Sequence, residues 1–403
     1  MVTGWSLYNL PILIVGVKAL RASKGKLECQ FTKKENLPSI SIIVPVKDEE
    51  KVIERLLNSL AEIAYPSDKL EIIVVEDGST DDTLDICKKF VEELGLNLRI
   101  FHREFSDGKP SALNYGIKHA KGDIIGVLDA DSVPARDILL NVSKYFEDQK
   151  VAAVQGRTLS INFGQNMLTR FISYEEAAWC EAYLRGKDVL KLFVCLKGSC
   201  QFIRRGVLDA IGVFDEEFLA EDMELSARMA SNRHQIRYAS DVKAWQECPS
   251  QLKQLLRQRV RWYRGWMEVA FRYGRLMARP SRVSIDAEAT LLGPFMMIAS
   301  LASYLFACLA FFVPVPLGSL WQVITQSSAV STTLWVVLCG LALIYLSKPR
   351  RLSNLLWLPF LYCYWCLQAF LVLYAVGLIL LRRPKKWLKT DKQGSVSESK
   401  LNF

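Results

Sequence analysis

The chain has 403 residues, enough for more than one domain, and it pairs 51% hydrophobic residues with 51 basic and 42 acidic ones. That mixture is not that of an ordinary soluble protein, and it holds together because the apolar and charged residues are segregated: residues 289–381 are nearly free of charge apart from an island at Lys348, Arg350 and Arg351. The net charge of +9 does not point to nucleic acid, because the basic residues gather at the edges of apolar segments (Lys18, Arg21, Lys24 and Lys26; Arg272, Arg275, Arg279 and Arg282; Arg382, Arg383, Lys385 and Lys386), as at membrane flanks that face anionic lipid.

Trp5 to Leu20 is apolar but for Lys18. Without a basic region before it or a small-residue cleavage site after it, the stretch does not read as a cleaved signal peptide. It is short against the ~20 residues of a membrane span. A tilted anchor with a snorkelling lysine and an interfacial helix both fit. Residues 39–46 form the first strand, and apolar spacing at Val52, Ile53, Leu56, Leu57 and Leu60 predicts a helix over 49–63, ended by Tyr65-Pro66. A strand over 70–75, a turn at Asp77-Gly78 and a helix over 83–94 follow, with Thr80 or Asp81 as its cap. Next come a strand at 97–101, a helix at 109–119, a strand at 123–128, a helix at 139–147 and a strand at 151–155. This alternation predicts an α/β domain with a doubly wound parallel sheet.

Residues 165–185 and 251–275 are long amphipathic stretches rich in aromatic residues, read equally as membrane-surface helices or as helices packed on the core. Three apolar segments follow at 289–313, 330–346 and 354–381. The last is too long for an untilted span, contains Pro359 and Gly377, and is basic on both sides, which asks for a bend, a re-entrant path or an interfacial piece. Ten cysteines show neither disulfide nor zinc spacing; Cys363 and Cys366 stand alone in an apolar run. Reduced thiols are expected.

Four clusters fall where a strand-end site can use them. Asp129-Ala-Asp131 ends an apolar strand, where ligands of open α/β sheets bind, and its paired carboxylates suit a hard divalent cation. Glu76-Asp77 follows the second strand; Asp77 suits a base N–H, or simply forms the turn before Gly78. Glu221-Asp222 opens a helix expected over 223–229, where acids also suit the dipole. Gln258, Arg261 and Trp262 share a helical face, apt for a diphosphate and a sugar ring or, more plainly, for anionic lipid.

Taken in order, Val44-Pro-Val-Lys-Asp-Glu49, Glu76-Asp-Gly-Ser-Thr-Asp81, Gly108-Lys-Pro-Ser-Ala-Leu-Asn114, Asp129-Ala-Asp131, Gly198-Ser199, Ala220-Glu-Asp222 and Gln258-x-x-Arg261-Trp262 resemble the motif series of inverting family 2 glycosyltransferases. The membrane-embedded branch, with the cellulose, hyaluronan, chitin and poly-N-acetylglucosamine synthases, is the nearest in pattern. The resemblance covers residues 39–275, with Trp387-Leu-Lys-Thr390 resembling a gating-loop motif. It implies a GT-A nucleotide-sugar domain plus an α-helical transmembrane region. Asp77 would bind uracil, with Glu49 and Lys109 in the nucleoside pocket, and Asp129 and Asp131 would hold the nucleotide and Mg2+ or Mn2+. Asp222 would be the general base. Gln258, Arg261 and Trp262, beside Glu221, would hold the diphosphate and the acceptor. The sequence departs from the pattern at Lys47-Asp48-Glu49, where many relatives have Tyr-Asn-Glu, and at Lys197-Gly-Ser-Cys200, where cellulose synthases have Cys-Gly-Ser.

The expected division is a membrane anchor or interfacial helix (1–26), a cytoplasmic catalytic domain (27–248), interfacial amphipathic helices (249–288), a transmembrane region (289–381) and a cytoplasmic basic tail (382–403). The expected enzyme is a hexosyltransferase in the cell membrane, multi-pass, extending a polysaccharide processively from a UDP-sugar. The alternative is transfer of a single sugar to a lipid. No nucleic-acid partner is expected. A partner chain or homo-oligomer is in view because so few apolar segments make a narrow channel.

Overall fold

The computed structural model describes residues 2–23, 37–94, 97–274, 280–309, 320–346, 352–385 and 389–394. Eight strands form one sheet: β1 (Ile40–Val46), β2 (Leu70–Asp77), β3 (Leu98–Arg103), β4 (Ile124–Val127), β5 (Val133–Pro134), β6 (Val151–Ser160), β7 (Gln201–Arg204) and β8 (Gln235–Gln246), in the order β3-β2-β1-β4-β7-β6-β8-β5. β1 lies between β2 and β4, all parallel. The sheet is not parallel throughout, as the alternation had predicted. β7 runs antiparallel to both β4 and β6, and β5 antiparallel to β8. The physical reason is that a strand covered on both faces reads as a continuous apolar run whichever way it points, so its pattern carries no direction.

The strands separate two apolar layers. Ile43, Ile73 and Val75 face one core with Leu113 and Ile117 of α4 (Lys109–His119). Ile42, Val44 and Val74 face the other with Leu56 and Leu57 of α2 (Ile53–Ala61) and Val142 of α5 (Ile138–Tyr145). Alternation along β1 sends successive side chains to opposite layers. α2 starts four residues later than its periodicity predicted: the N–H groups of Val52 and Ile53 both donate to the Glu49 carbonyl at 3.0 Å. That turn keeps Glu49 at the strand end. α3 (Thr83–Leu94) begins as expected, with the Thr83 N–H donating to Asp81 Oδ1 at 3.1 Å.

Beyond β6 the chain enters α6 (Met167–Ala178), a π-helical stretch (Trp179–Leu184) and α7 (Arg185–Val189), then β7, followed by α8 (Arg205–Ile211) and α9 (Glu221–Ser231). α10 (Leu252–Tyr273) carries the second amphipathic face. Both aromatic stretches pack on protein: Phe171, Ile172 and Tyr183 are buried, and Trp179 and Trp266 lie against the core.

α11 (Arg282–Leu291) and α12 (Gly293–Leu309) are bent by 51° at their junction. α13 (Leu320–Leu346) and α14 (Leu358–Leu380) follow, the latter preceded by a 3-10 turn (Leu352–Trp357). Pro359 therefore sits in the first turn of α14, where its missing N–H costs nothing. Among the described residues two helices are long and apolar enough to cross a membrane, or three if the bent pair is one span. The N-terminal helix α1 (Val2–Ser23) is tied sideways: Tyr183 donates to Asn9 Oδ1 at 2.8 Å and Tyr8 to Asp286 Oδ1 at 3.0 Å. Asp286 also pairs with Lys187 at 2.9 Å, both side chains fully buried.

Candidate active site

The ends of β1, β2 and β4 and the start of α9 open onto one cavity of about 690 Å³, and it gathers all ten residues singled out by sequence: Glu49, Asp77, Lys109, Asp129, Asp131, Glu221, Asp222, Gln258, Arg261 and Trp262. Asp77 is the last residue of β2. Its Oδ2 accepts from Ser106 at 2.6 Å and its Oδ1 lies 3.2 Å from Arg103, yet burial still lifts its carboxyl above the ordinary range. Glu49 is pushed up to about 8 by burial, against the pull of the Lys389 ammonium 3.2 Å away.

Lys109 opens α4 and links two motifs: its Nζ lies 2.7 Å from Asp129 Oδ1, 2.9 Å from the Gly198 carbonyl and 3.7 Å from Glu221. Burial works against its charge, but Asp129, Glu221 and Asp222 hold its pKa above the ordinary lysine value. Asp222 is lifted to about 7 by burial and by neighbouring Glu221, with Lys109 opposing. A carboxylate so placed is a stronger proton acceptor than one in water. Gly198 closes this corner at φ +79°, and a Cβ there would lie 3.3 Å from both Asp222 Oδ2 and Lys109 Nζ. A side chain would therefore be strained and crowded.

α10 reaches the same corner because it packs on the residue before Glu221. A Cβ on Gly265 would approach the Ala220 Cβ to 2.7 Å. Burial holds the Arg261 guanidinium below its ordinary pKa, partly offset by Glu221, Asp222 and Asp129. Trp262 is 41% exposed, with the Arg259 guanidinium 4.6 Å above its ring.

Several neighbours were not foreseen. Gln246 ends β8 and donates to Asp129 Oδ2 at 3.3 Å; the strand itself went unrecognised, so its end did too. The Asp129 N–H donates to Ser199 Oγ at 3.0 Å, which gives the Gly198-Ser199 motif a local purpose. Lys392, from the basic tail, donates to Asp131 Oδ2 at 2.5 Å and to the Glu247 carbonyl at 2.9 Å. No pattern in the sequence joins residues so far apart. Lys389 and Thr390 line the cavity, while Trp387 of the same motif lies outside the described residues.

Among the described residues no three His, Cys, Asp or Glu side chains converge as a metal site. Asp129 and Asp131 nevertheless fit a divalent cation that draws its other ligands from a diphosphate. Both are hard oxygen donors, and Lys392 already sets a cation against Asp131.

Residues 38–265 match the model of the family described as glycosyltransferase like family 2. The chain belongs to the family 2 glycosyltransferases. This glycosyltransferase is 34% identical over 242 residues to a probable glycosyltransferase, YdaM, of Bacillus subtilis, covering 59% of this chain and 58% of that one. It is 32% identical over 234 residues to a beta-monoglucosyldiacylglycerol synthase of Nostoc, covering 57% and 49%. The chain thus spans about half the length of these curated relatives. A mannosyltransferase of Pyrobaculum calidifontis, solved with GDP-mannose and Mn2+, superposes with a TM-score of 0.59 at 21% identity, over 95% of this chain and 100% of that one. The family 2 glycosyltransferase therefore shares that fold.

Proposed function

We propose that this glycosyltransferase moves one sugar from a UDP-sugar to a hydroxyl of a lipid, with inversion at the anomeric carbon. The observation that carries the reading is the course of the cavity. From Asp222 it continues into the gap between α1, α12, α13 and α14, and its wall there is largely apolar, with Leu13, Met297, Trp335, Val336 and Leu361 among a few polar residues such as Ser300 and Gln368. Such a wall suits acyl or prenyl chains, which gain free energy on leaving water. The similarity to a glycolipid synthase supports the same reading.

In this reading Asp77 receives the nucleobase, and Glu49 and Lys109 line the nucleoside pocket. Asp129 and Asp131 hold Mg2+ or Mn2+, which when bound neutralises charge on the departing nucleotide. Arg261 and Gln258, with Glu221 beside them, hold the diphosphate, and Trp262 stacks on a sugar ring. Asp222 takes the acceptor hydroxyl's proton as the oxygen attacks, and inversion then needs no covalent enzyme intermediate. The division expected from sequence fits this chemistry: a catalytic domain (27–248) on the cytoplasmic side, α10 and α11 at the lipid surface, a multi-pass membrane region (289–381) and a basic tail (382–403).

The test is product sizing. Purified full-length protein in lipid vesicles is supplied with single UDP-sugars and Mn2+, and one glycolipid band is expected. A ladder or high polymer would overturn the reading in favour of processive polysaccharide synthesis.

A further inference from the structure

Past Asp222 the cavity wall changes its chemistry. Glu175 and Glu176 stand side by side on α6, just before the π-helical stretch, and both line the cavity with Lys197 and Arg259. Such stretches widen a helix locally and are frequent at functional sites. Lys197 Nζ donates to Glu176 Oε1 at 2.5 Å and to Thr158 Oγ1 at 2.9 Å, and the Thr158 hydroxyl in turn donates to Glu176. Arg259 Nη2 donates to Glu175 Oε2 at 2.5 Å, and the Tyr364 hydroxyl donates to the same oxygen at 3.1 Å. None of the four side chains is closed off: Lys197 and Glu176 are 20% and 26% exposed, Arg259 and Glu175 13% and 33%.

Each cation in this chamber thus has its own carboxylate. An anionic headgroup would meet two glutamates as well as the two cations, and to bond a cation fully it would have to displace a glutamate. That exchange costs about as much as it returns, since a buried charge left without its partner is heavily penalised. A hydroxyl has no such conflict, because it accepts from the ammonium or guanidinium and donates to the carboxylate at once. The donor corner differs, being rich in carboxylates that suit a cation and its diphosphate.

We propose that the Glu176–Lys197 and Glu175–Arg259 pairs form the acceptor headgroup subsite and select an uncharged, hydroxyl-bearing lipid headgroup over an anionic one. This assignment rests on the lipid-acceptor reading above. Lys197 stands where cellulose synthases carry Cys, so the selection belongs to this chain's own departure from that pattern.

The experiment compares dioleoylglycerol, a polyprenyl phosphate and a soluble oligosaccharide as acceptors for the full-length protein in vesicles of neutral lipid. Wild type is expected to prefer dioleoylglycerol to the polyprenyl phosphate. E176Q leaves the Lys197 ammonium without its carboxylate and should shift that preference about tenfold toward the phosphate, a change of ~1.4 kcal/mol. E176D should restore it, and the double variant E176Q/K197M, with neither the donor nor the acceptor of the pair, should raise KM for dioleoylglycerol without gaining affinity for the phosphate. UDP affinity, read by calorimetry, should not move. A wild-type preference for the phosphate, or an unmoved ratio in E176Q that still binds UDP, overturns the subsite and leaves the lipid reading standing. An unchanged KM for dioleoylglycerol in the double variant, or a gain of the phosphate there as in E176Q, assigns the effect to packing and overturns the subsite too. Extension of the oligosaccharide alone overturns the lipid reading itself.

Discussion

The two halves of the cavity handle charge in opposite ways. The half proposed for the donor concentrates carboxylates at the strand ends and offsets them from elsewhere: Lys109 from α4, Lys389 and Lys392 from the tail. The half proposed for the acceptor balances these charges on the spot, with Glu175 on Arg259 and Glu176 on Lys197, and is otherwise lined largely by aromatic and aliphatic side chains. The proposed roles account for the difference: a diphosphate with its cation would need an unbalanced field that binding completes, whereas a headgroup moving past the proposed base would need hydrogen bonds without a strong net charge.

The comparison breaks most severely at the base. If Asp222 is the base as proposed, Asp222→Asn removes the proton acceptor but preserves shape, so kcat should fall by roughly 10²–10⁴-fold with UDP affinity retained. Steady-state transfer and calorimetry on one preparation check this, and retained turnover would remove Asp222 from the role. The same group sharpens the contrast through pH. Its folded-state pKa is raised to about 7, so it must shed its proton to act. kcat/KM should then rise about tenfold per pH unit below 7 and level off above. A limb near the ordinary aspartate value would mean that burial does not tune the base.

A smaller effect is expected at the tail. Lys392 occupies Asp131, so Lys392→Met should free that carboxylate and tighten Mn2+ binding several-fold, by roughly 1 kcal/mol. Mn2+ titration by paramagnetic resonance, in the presence of UDP, reads it. Weaker binding in the variant would show that the ammonium helps the cation rather than competing with it.

Much of this was legible in the sequence where local chemistry repeats. β1, β2 and α4 announced themselves by unbroken apolar runs or amphipathic spacing, and the strand-end acids followed from them. The order of the motifs then united residues from Glu49 to Trp262, and the fold brings them into one cavity. What stayed hidden depends on pairings between distant segments. The direction of β7 is not written in its four residues, and β8 is twelve residues long but broken by polar positions and a bulge. Without β8, Gln246 and Glu247 had no strand end to occupy. The acceptor pairs were hidden for a like reason: Glu175 and Arg259 are each ordinary on an amphipathic helix, and only their meeting at 2.5 Å gives them meaning.

The buried Lys187–Asp286 pair sets an order of events during synthesis. Lys187 lies inside the catalytic domain, but its carboxylate arrives on α11, about a hundred residues later, and the same Asp286 Oδ2 accepts the Phe193 N–H at 2.9 Å. An ammonium so enclosed is strongly disfavoured without its counter-charge. Enclosure of Lys187 is therefore completed only with α11, and the apolar α12 follows directly behind it. Burial of Lys187 is thus coupled to the helix that leads into the apolar C-terminal segments. A fragment cut before α11 would be left with an ammonium facing the rings of Tyr183 and Phe193 but without its carboxylate.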